Sequence, residues 1–439
     1  MKNILKYAFF FVAACTTISC DDYLDVKPVG KVIPETLTDF RAVLTKGYFV
    51  FPRHKSLASV RGDEVLLDES GGDFSYYRDA YLWNDSNPDR ATFTYPYAAL
   101  YNTIFYTNVV INDASKKLDA SPEKDQLLGE AYALRAYTYF DLINLFGKPY
   151  NAATAATDRG VPLALEIDLE QVYTPQSVAV IYQQILADKE EAKKLLNLNT
   201  QTKGINYRFS KAALYAFESR IFLYQKEWAK AIEAADKAMT YKNTLTDLNA
   251  TAVLPNYYDG VESIMALDDT FHNDIKGATN AAPTLTDAYD KTNDLRFALY
   301  FQASGSDFRF KKGGEISQKC SFRTAELYLT KAEASAQLND LATARTTVLT
   351  FIKNRYNTTG YITLSITVDA MTQAELLDFI AQERQREFAI EGHRWFDLRR
   401  TSQKQIIHTI DGKDYTLIEN DPRYTIPFPK DARLNNPEL

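Results

Sequence analysis

Cysteine is nearly absent from this chain of 439 residues, which has three. Cys15 and Cys20 lie close to the N-terminus and Cys320 stands alone, so no disulfide framework is available and the body must be held by its core. Histidine is almost as scarce: His54, His272, His393 and His408 are far apart in sequence and give a metal centre or a histidine-based triad little to build from. The chain also lacks a phosphate-cradling glycine loop, a nucleophile elbow, His-Glu-x-x-His and Cys-x-x-Cys, so neither an enzyme, a cofactor nor a metal is indicated. A glycosidase pair needs only two carboxylates roughly 5–10 Å apart, but no motif singles one out. Excess positive charge is missing too, with 50 basic against 57 acidic residues and a net charge of -7, which argues against nucleic acid as a partner.

Long apolar runs are confined to the first residues. Lys2 and Lys6 precede a run from Tyr7 to Ala14 that is too short for a stop-transfer helix and reads as part of a signal peptide, residues 1–19. Thr17-Ile18-Ser19-Cys20 follows, then Asp21-Asp22. Cleavage before Cys20 leaves an N-terminal thiol that can carry a lipid, so the spacing predicts a body, residues 20–439, tethered to a membrane by that lipid alone.

Helix signals dominate what remains. Ser121-Pro122 and Thr174-Pro175 each place a capping hydroxyl before a proline, and Thr372 with Glu375 has capping-box spacing. Periodic apolar runs predict helices near 37–46, 97–118, 123–146, 175–196, 210–225, 228–241, 323–338, 341–356 and 373–391. Strand-like alternation is rare and short, as in Tyr361 to Val368. Shifting the chain by 113 positions lays Leu214, Tyr215, Ser219 and Ala231 over Leu327, Tyr328, Ala332 and Ala344, with Lys226-Glu227 over Asn339-Asp340 at the turn. Both segments read as tetratricopeptide-like hairpins, and 97–118 with 123–146 as a weaker third. The fold class predicted is mainly α, a helical-hairpin superhelix with long irregular loops and little strand.

Aromatics are abundant, 13% of the chain with 29 tyrosines. They are dense in two long stretches without helical periodicity, 47–95 and 242–314, and loops of that length in a compact domain are usually functional when they are not disordered. A tyrosine or tryptophan face suits the C–H side of a sugar ring, and nearby polar groups suit its hydroxyls. Trp83 is therefore the first candidate platform, with Tyr81 and Tyr77 beside it and Asn84 or Asp85 as hydroxyl partners. Tyr257 and Tyr258 are the second candidates. Core packing or contact with a partner protein accounts for each ring equally well; for Tyr289 with Asp294 and Arg296, and for the Arg61-Gly62-Asp63 tripeptide, a structural role is the better reading. In the last long helix an apolar stripe runs into Glu383, Glu387 and Glu391, which predicts enclosed carboxylates paired with Arg394, Arg399 and Arg400 in a structural network rather than an acid/base pair.

The N-terminus Cys20-Asp21-Asp22-Tyr23-Leu24, the segment Leu134-Arg135-Ala136 with Tyr139-Phe140 and Phe146-Gly147, the run Glu383-Arg384-Gln385-Arg386-Glu387-Phe388, and Glu391-Gly392-His393-Arg394-Trp395-Phe396-Asp397-Leu398-Arg399-Arg400 together resemble the SusD/RagB family. The resemblance extends from Cys20 to Leu439. It implies an outward-facing outer-membrane lipoprotein, lipidated on Cys20, with four tetratricopeptide-like hairpins and ligand-side loops. It further implies a SusC-like TonB-dependent transporter as partner and an oligosaccharide, or in some members a peptide, as ligand. No catalytic residues are implied, and Glu383, Arg384, Glu387, Arg394, Trp395 and Arg399 belong to the family's structural motif. A scaffold without a small ligand, and a lipid-anchored hydrolase, are the readings from other classes.

Overall fold

A computed structural model describes residues 33–166 and 171–439; the signal peptide and Cys20 fall outside them. Ten helices form the scaffold: α1 (Leu37–Phe49), α2 (Tyr97–Val109), α3 (Pro122–Phe146), α4 (Val178–Leu195), α5 (Lys211–Tyr224), α6 (Trp228–Met239), α7 (Thr324–Gln337), α8 (Leu341–Ile352), α9 (Thr358–Ala370) and α10 (Gln373–Glu387). Successive pairs α3 with α4, α5 with α6 and α7 with α8 pack as hairpins, and α6 lies against α7, so the hairpins stack side by side. None of the described helices is long and apolar enough to cross a membrane.

The repeat seen in the sequence is a repeat in space. Lys226 and Asn339 occupy equivalent turn positions and both have φ of 61°. After each, the next residue's N–H returns to a carbonyl five residues back, Glu227 to Phe222 and Asp340 to Ser335, both at 2.9 Å. That bond satisfies a carbonyl left open at a helix end and turns the chain sharply. Ala231, Ala235, Ala332 and Ala344 are fully buried where the paired helices meet, because a larger side chain would hold the backbones apart.

Two of the three expected helix starts hold. Ser121 accepts from the Lys124 N–H ahead of Pro122, and Thr372 and Glu375 make a reciprocal capping box. The third start moves: Pro175–Ser177 pairs as a short strand with Arg159–Pro162, and Ser177 caps α4 by accepting from the Val180 N–H. The expected strand at Tyr361–Val368 is instead the middle of α9. Asn357 caps it by accepting from the Gly360 N–H, and Tyr361, Leu364 and Val368, spaced by three and four, lie against the cluster around Phe351 and Ile380. Helical spacing of three apolar contacts outweighs the β-preference of the intervening threonines and isoleucines.

The long stretches 47–95 and 242–314 are not structureless. Strands β1 (Val65–Leu67), β2 (Thr279–Ala281), β3 (Phe301–Ser304) and β4 (Asp307–Phe310) form an antiparallel sheet in the order β1-β2-β4-β3. Its first strand comes from one stretch and the rest from the other, so the sheet brings the two loop regions together. Near the C-terminus, β5 (Ile406–Ile410) and β6 (Lys413–Leu417) make a hairpin about Asp411-Gly412, both with positive φ, as a tight turn of this kind requires. Alternation on β5 buries Ile406, His408 and Ile410 and exposes the residues between.

Candidate functional site

The residues first expected to stack on a ligand are core residues. His408 projects from β5 between two loop aromatics, stacking on Tyr81 at 3.8 Å and on Trp83 at 4.4 Å. Its two imidazole nitrogens face the carbonyls of Tyr81 at 2.7 Å and Gly62 at 2.8 Å, and the ring's N–H donates to one of them. Trp83 is only 3% exposed and its indole N–H donates to the Arg61 carbonyl at 3.1 Å. Its platform face is taken by the protein. Asp85 is bound by the Arg61 guanidinium at 2.7 Å, and with Asn84 it lines a crevice of about 20 Å³, room for a water or two but not a sugar ring. Arg61 is fully buried and Asp63 is held by Arg394 and Lys404, so the tripeptide about Gly62 is a structural turn.

Open aromatic surface lies beside this core. Here α1 ends, and two contacts hold the exit: Tyr48 is buried with its hydroxyl accepting from the Phe209 N–H, and Phe51 stacks on Tyr137. Phe49 between them is left 77% exposed. It leans on Tyr207 at 6.4 Å between ring centres, and Tyr207 in turn meets Tyr48 edge-on. Tyr258 closes the opposite wall, its N–H donating to the Ser317 carbonyl and its own carbonyl accepting from Asn206. Together with Arg53, Asp269, Ile316 and Lys319 these rings surround a cleft of about 380 Å³. A second recess of about 330 Å³ shares Arg53 with it and is lined by Tyr77, Phe93, Pro96 and His272. Phe93 is half exposed and stacks on Tyr76 at 5.0 Å. Arg53 stands between the two recesses, 3.2 Å from Asp269 and 2.6 Å from the His272 ring.

A larger groove of about 650 Å³ runs over α4, α5 and α6, but its rings are already covered. Lys193 lies over Tyr215, Lys189 and Lys230 lie over Phe222, and Lys189 is tied to Glu218 and Glu190. In the cleft at Phe49 a cation also lies over Tyr207 and over Tyr258, Arg208 and Lys203 respectively, but Phe49 itself stands open beside the polar rim.

Of the expected ligand residues, then, Tyr258 and Tyr77 line the paired recesses, Tyr257 packs partly buried against the core, and Trp83, Tyr81, Asn84 and Asp85 sit elsewhere. Phe49, Arg53, Tyr207 and Lys319 are the lining residues that sequence reasoning missed. The run Tyr48-Phe49-Val50-Phe51-Pro52-Arg53 was a usable signal, since it opens the first aromatic loop; Tyr207, in a connector between helices, left none.

Glu383 and Glu387 at the end of α10, and Glu391 just beyond it, are buried in a network whose partners differ from those expected. Glu383 accepts from Arg296, Arg386 and Tyr356; Glu387 from Arg296, Arg323 and Arg355; and Glu391 pairs with Arg323 and Lys312. Glu262 and Asp294 complete it. Arg394 goes instead to Asp63, Arg400 to Glu333 and Asp397, and Arg399 to the carbonyls of Tyr424 and Gly147. Arg384 pairs with Asp397, and Trp395 stacks on Tyr424 under the Arg61 guanidinium. Burial alone would push the Glu383, Glu387 and Glu391 carboxyls up, but the facing cations outweigh it and hold all three below the ordinary carboxylate range. A depressed folded-state value contributes stability that is full above the unfolded value and is lost as pH falls. Stability, read from denaturant titrations at a series of pH values, is therefore expected to hold down to about pH 5 and to fall steeply below about pH 4. A flat profile to about pH 2 would contradict the network's ionisation.

The scattered histidines do yield one cluster. His54 lies 2.8 Å from Asp141, beside Asp268, all buried, and their potential ligand atoms are close enough for a metal ion. The Lys55 ammonium already stands there, 2.9 Å from Asp268 and 3.4 Å from Asp141, donating also to the Tyr137 hydroxyl. Burial pushes the Asp268 carboxyl up, but Lys55 and His54 bring it below its ordinary value. The position between the two carboxylates is thus taken by the protein's own ammonium.

Stacked helical hairpins thus carry a loop-built cleft with an open aromatic ring and a polar rim. Two family profiles match the chain, one described as starch-binding associating with outer membrane, over residues 22–223, and one as the SusD family, over residues 225–438. The chain belongs to the SusD/RagB family. SusD-like protein P38 of Formosa agariphila is 25% identical, over 94% of this chain and 94% of that protein. Among solved structures, a SusD superfamily protein from Bacteroides thetaiotaomicron superposes with a TM-score of 0.77 at 20% identity, covering 92% of this chain and 98% of its own. A SusD-like carbohydrate binding protein from Bacteroides vulgatus gives a TM-score of 0.71 at 20% identity with the same coverage. The likeness in fold is thus much stronger than the likeness in sequence.

Proposed function

We propose that this protein captures oligosaccharides in the paired recesses around Phe49, Arg53, Tyr207 and Tyr258 and delivers them, chemically unchanged, to a SusC-like TonB-dependent transporter. The observation that carries this reading is Phe49, a large ring held in solvent between two anchored aromatics at the mouth of a polar-rimmed cleft. A ring so exposed contributes nothing to the core and suits stacking on a sugar face. In this reading residues 1–19 are removed, Cys20 carries the lipid, and residues 20–439 form one outward-facing body at the outer membrane. Labelling with a palmitate analogue tests the anchor: the unaltered chain takes label and Cys20→Ala does not.

Calorimetric titration with a panel of polysaccharides and their oligomers tests the ligand. Binding is expected to at least one glycan without release of shortened products. Phe49→Ala should weaken it about tenfold, in line with one lost aromatic contact, while leaving the unfolding midpoint unchanged. Silence across the panel with binding of peptides would replace the glycan reading by peptide capture. Product release from a labelled polysaccharide would make the protein a hydrolase.

A further inference from the structure

The charge around the cleft is unbalanced in a definite direction. Lys319 lines it partly buried, and among the described residues its ammonium has no hydrogen-bond or ion-pair partner. Arg53 brings a second cation, whose single charge Asp269 offsets at 3.2 Å, so the unbalanced charge is that of Lys319. Lys203 and Asp259, close to Tyr258, cancel one another at 2.6 Å. Arg208 lies over the Tyr207 ring and donates to its hydroxyl from behind the aromatic wall. The wall of the cleft therefore carries a surplus positive charge, on a chain whose net charge is -7. An ammonium in an aromatic cleft without a carboxylate partner is free to pair with an anion that enters it.

We propose that the oligosaccharide held in this cleft is anionic, bearing ring carboxylates or sulfate esters, and that Lys319 and Arg53 take the charged substituent while Phe49 and Tyr207 take the sugar face. This rests on the glycan-binding reading of the same cleft and names the class of glycan. The cations line the same recess as the rings, so one bound oligomer can meet both.

The test uses the purified protein and four probes: an oligogalacturonate, the same oligomer with its carboxyls reduced to alcohols, a sulfated galactan oligomer, and laminarin as a neutral glucan. At least one anionic oligomer is expected to bind about tenfold or more tightly than its uncharged counterpart, as a charge-assisted hydrogen bond gives, and about 0.5 M sodium chloride should erode that margin. Which anionic probe binds tells carboxylate from sulfate recognition. Lys319→Met should reduce the margin and Lys319→Glu should reverse it, with circular dichroism showing both variants folded. Equal affinity for charged and uncharged oligomers, or a margin untouched by both Lys319 variants, overturns the proposal while the glycan reading stands. Silence toward all four probes, with another neutral glycan bound, overturns it in the same way; silence toward every glycan overturns both.

Discussion

Replacing Glu387 with glutamine is expected to lower folding stability by about 3–5 kcal/mol, the usual cost of breaking a buried ion pair from one side. The side chain is fully buried and its two oxygens accept from three guanidinium groups at 2.5–3.1 Å, those of Arg296, Arg323 and Arg355. An amide keeps the shape but replaces one acceptor by a donor facing those cations, and it removes the charge that balances them. The neighbouring Glu262, Glu383 and Glu391 are already engaged by cations of the same set, so none is free to compensate. Guanidinium titration should show a lower midpoint with unchanged slope. A loss under about 1 kcal/mol would mean that water reaches the network. Glycan affinity of the folded variant should be unaltered, because the network is not part of the cleft.

Trp83→Ala is expected to act on the fold and not on the ligand. Its indole fills the core between His408 and the loop backbone, so truncation should cost about 3–5 kcal/mol. The residue also ends the short helix Phe74–Tyr81 with φ of 55°, while the Asn84 N–H returns to the Asp79 carbonyl at 2.8 Å. Glycine is the usual occupant of such a position. Trp83→Gly should therefore recover roughly 1 kcal/mol relative to Trp83→Ala, by relieving the left-handed backbone. The tryptophan is there because the turn aims its ring inward. Thermal unfolding of the two variants checks the order, and a tenfold loss of glycan affinity in a fully folded Trp83→Ala protein would return the residue to the binding surface.

Local signals carried most of the scaffold. Ser121 and Thr372 mark their helices because a cap is settled within four residues, and the Lys226 and Asn339 turns could be overlaid because each hairpin is a self-contained unit. Thr174 misled because strand pairing with Arg159–Pro162, a contact from elsewhere in the chain, claims the first residues of the expected helix. Long-range contact also decided the site. Whether Trp83 or Phe49 offers its face to solvent depends on His408, more than 300 positions away, and on Tyr207, and neither relation has any trace in local periodicity. The acids at the end of α10 are enclosed as expected, but their cations come from Arg296, Arg323 and Arg355 on other elements, which no spacing along α10 could reveal.

Helix α9 has a consequence for the chain before it is folded. Its stretch Ile362-Thr363-Leu364-Ser365-Ile366-Thr367-Val368 is uncharged, free of proline and glycine and rich in β-branched residues, the composition of segments that stack into intermolecular sheets. In the native protein the hydrogen-bonding groups of that backbone are satisfied within the helix, even though Ile362 and Ile366 face solvent. Whatever loosens α10, against whose cluster α9 packs, also frees a segment able to template aggregation. A weakened charge network should therefore show itself in cells as insoluble protein sooner than as lost binding, and charged residues at Ile362 and Ile366 would act as gatekeepers against it.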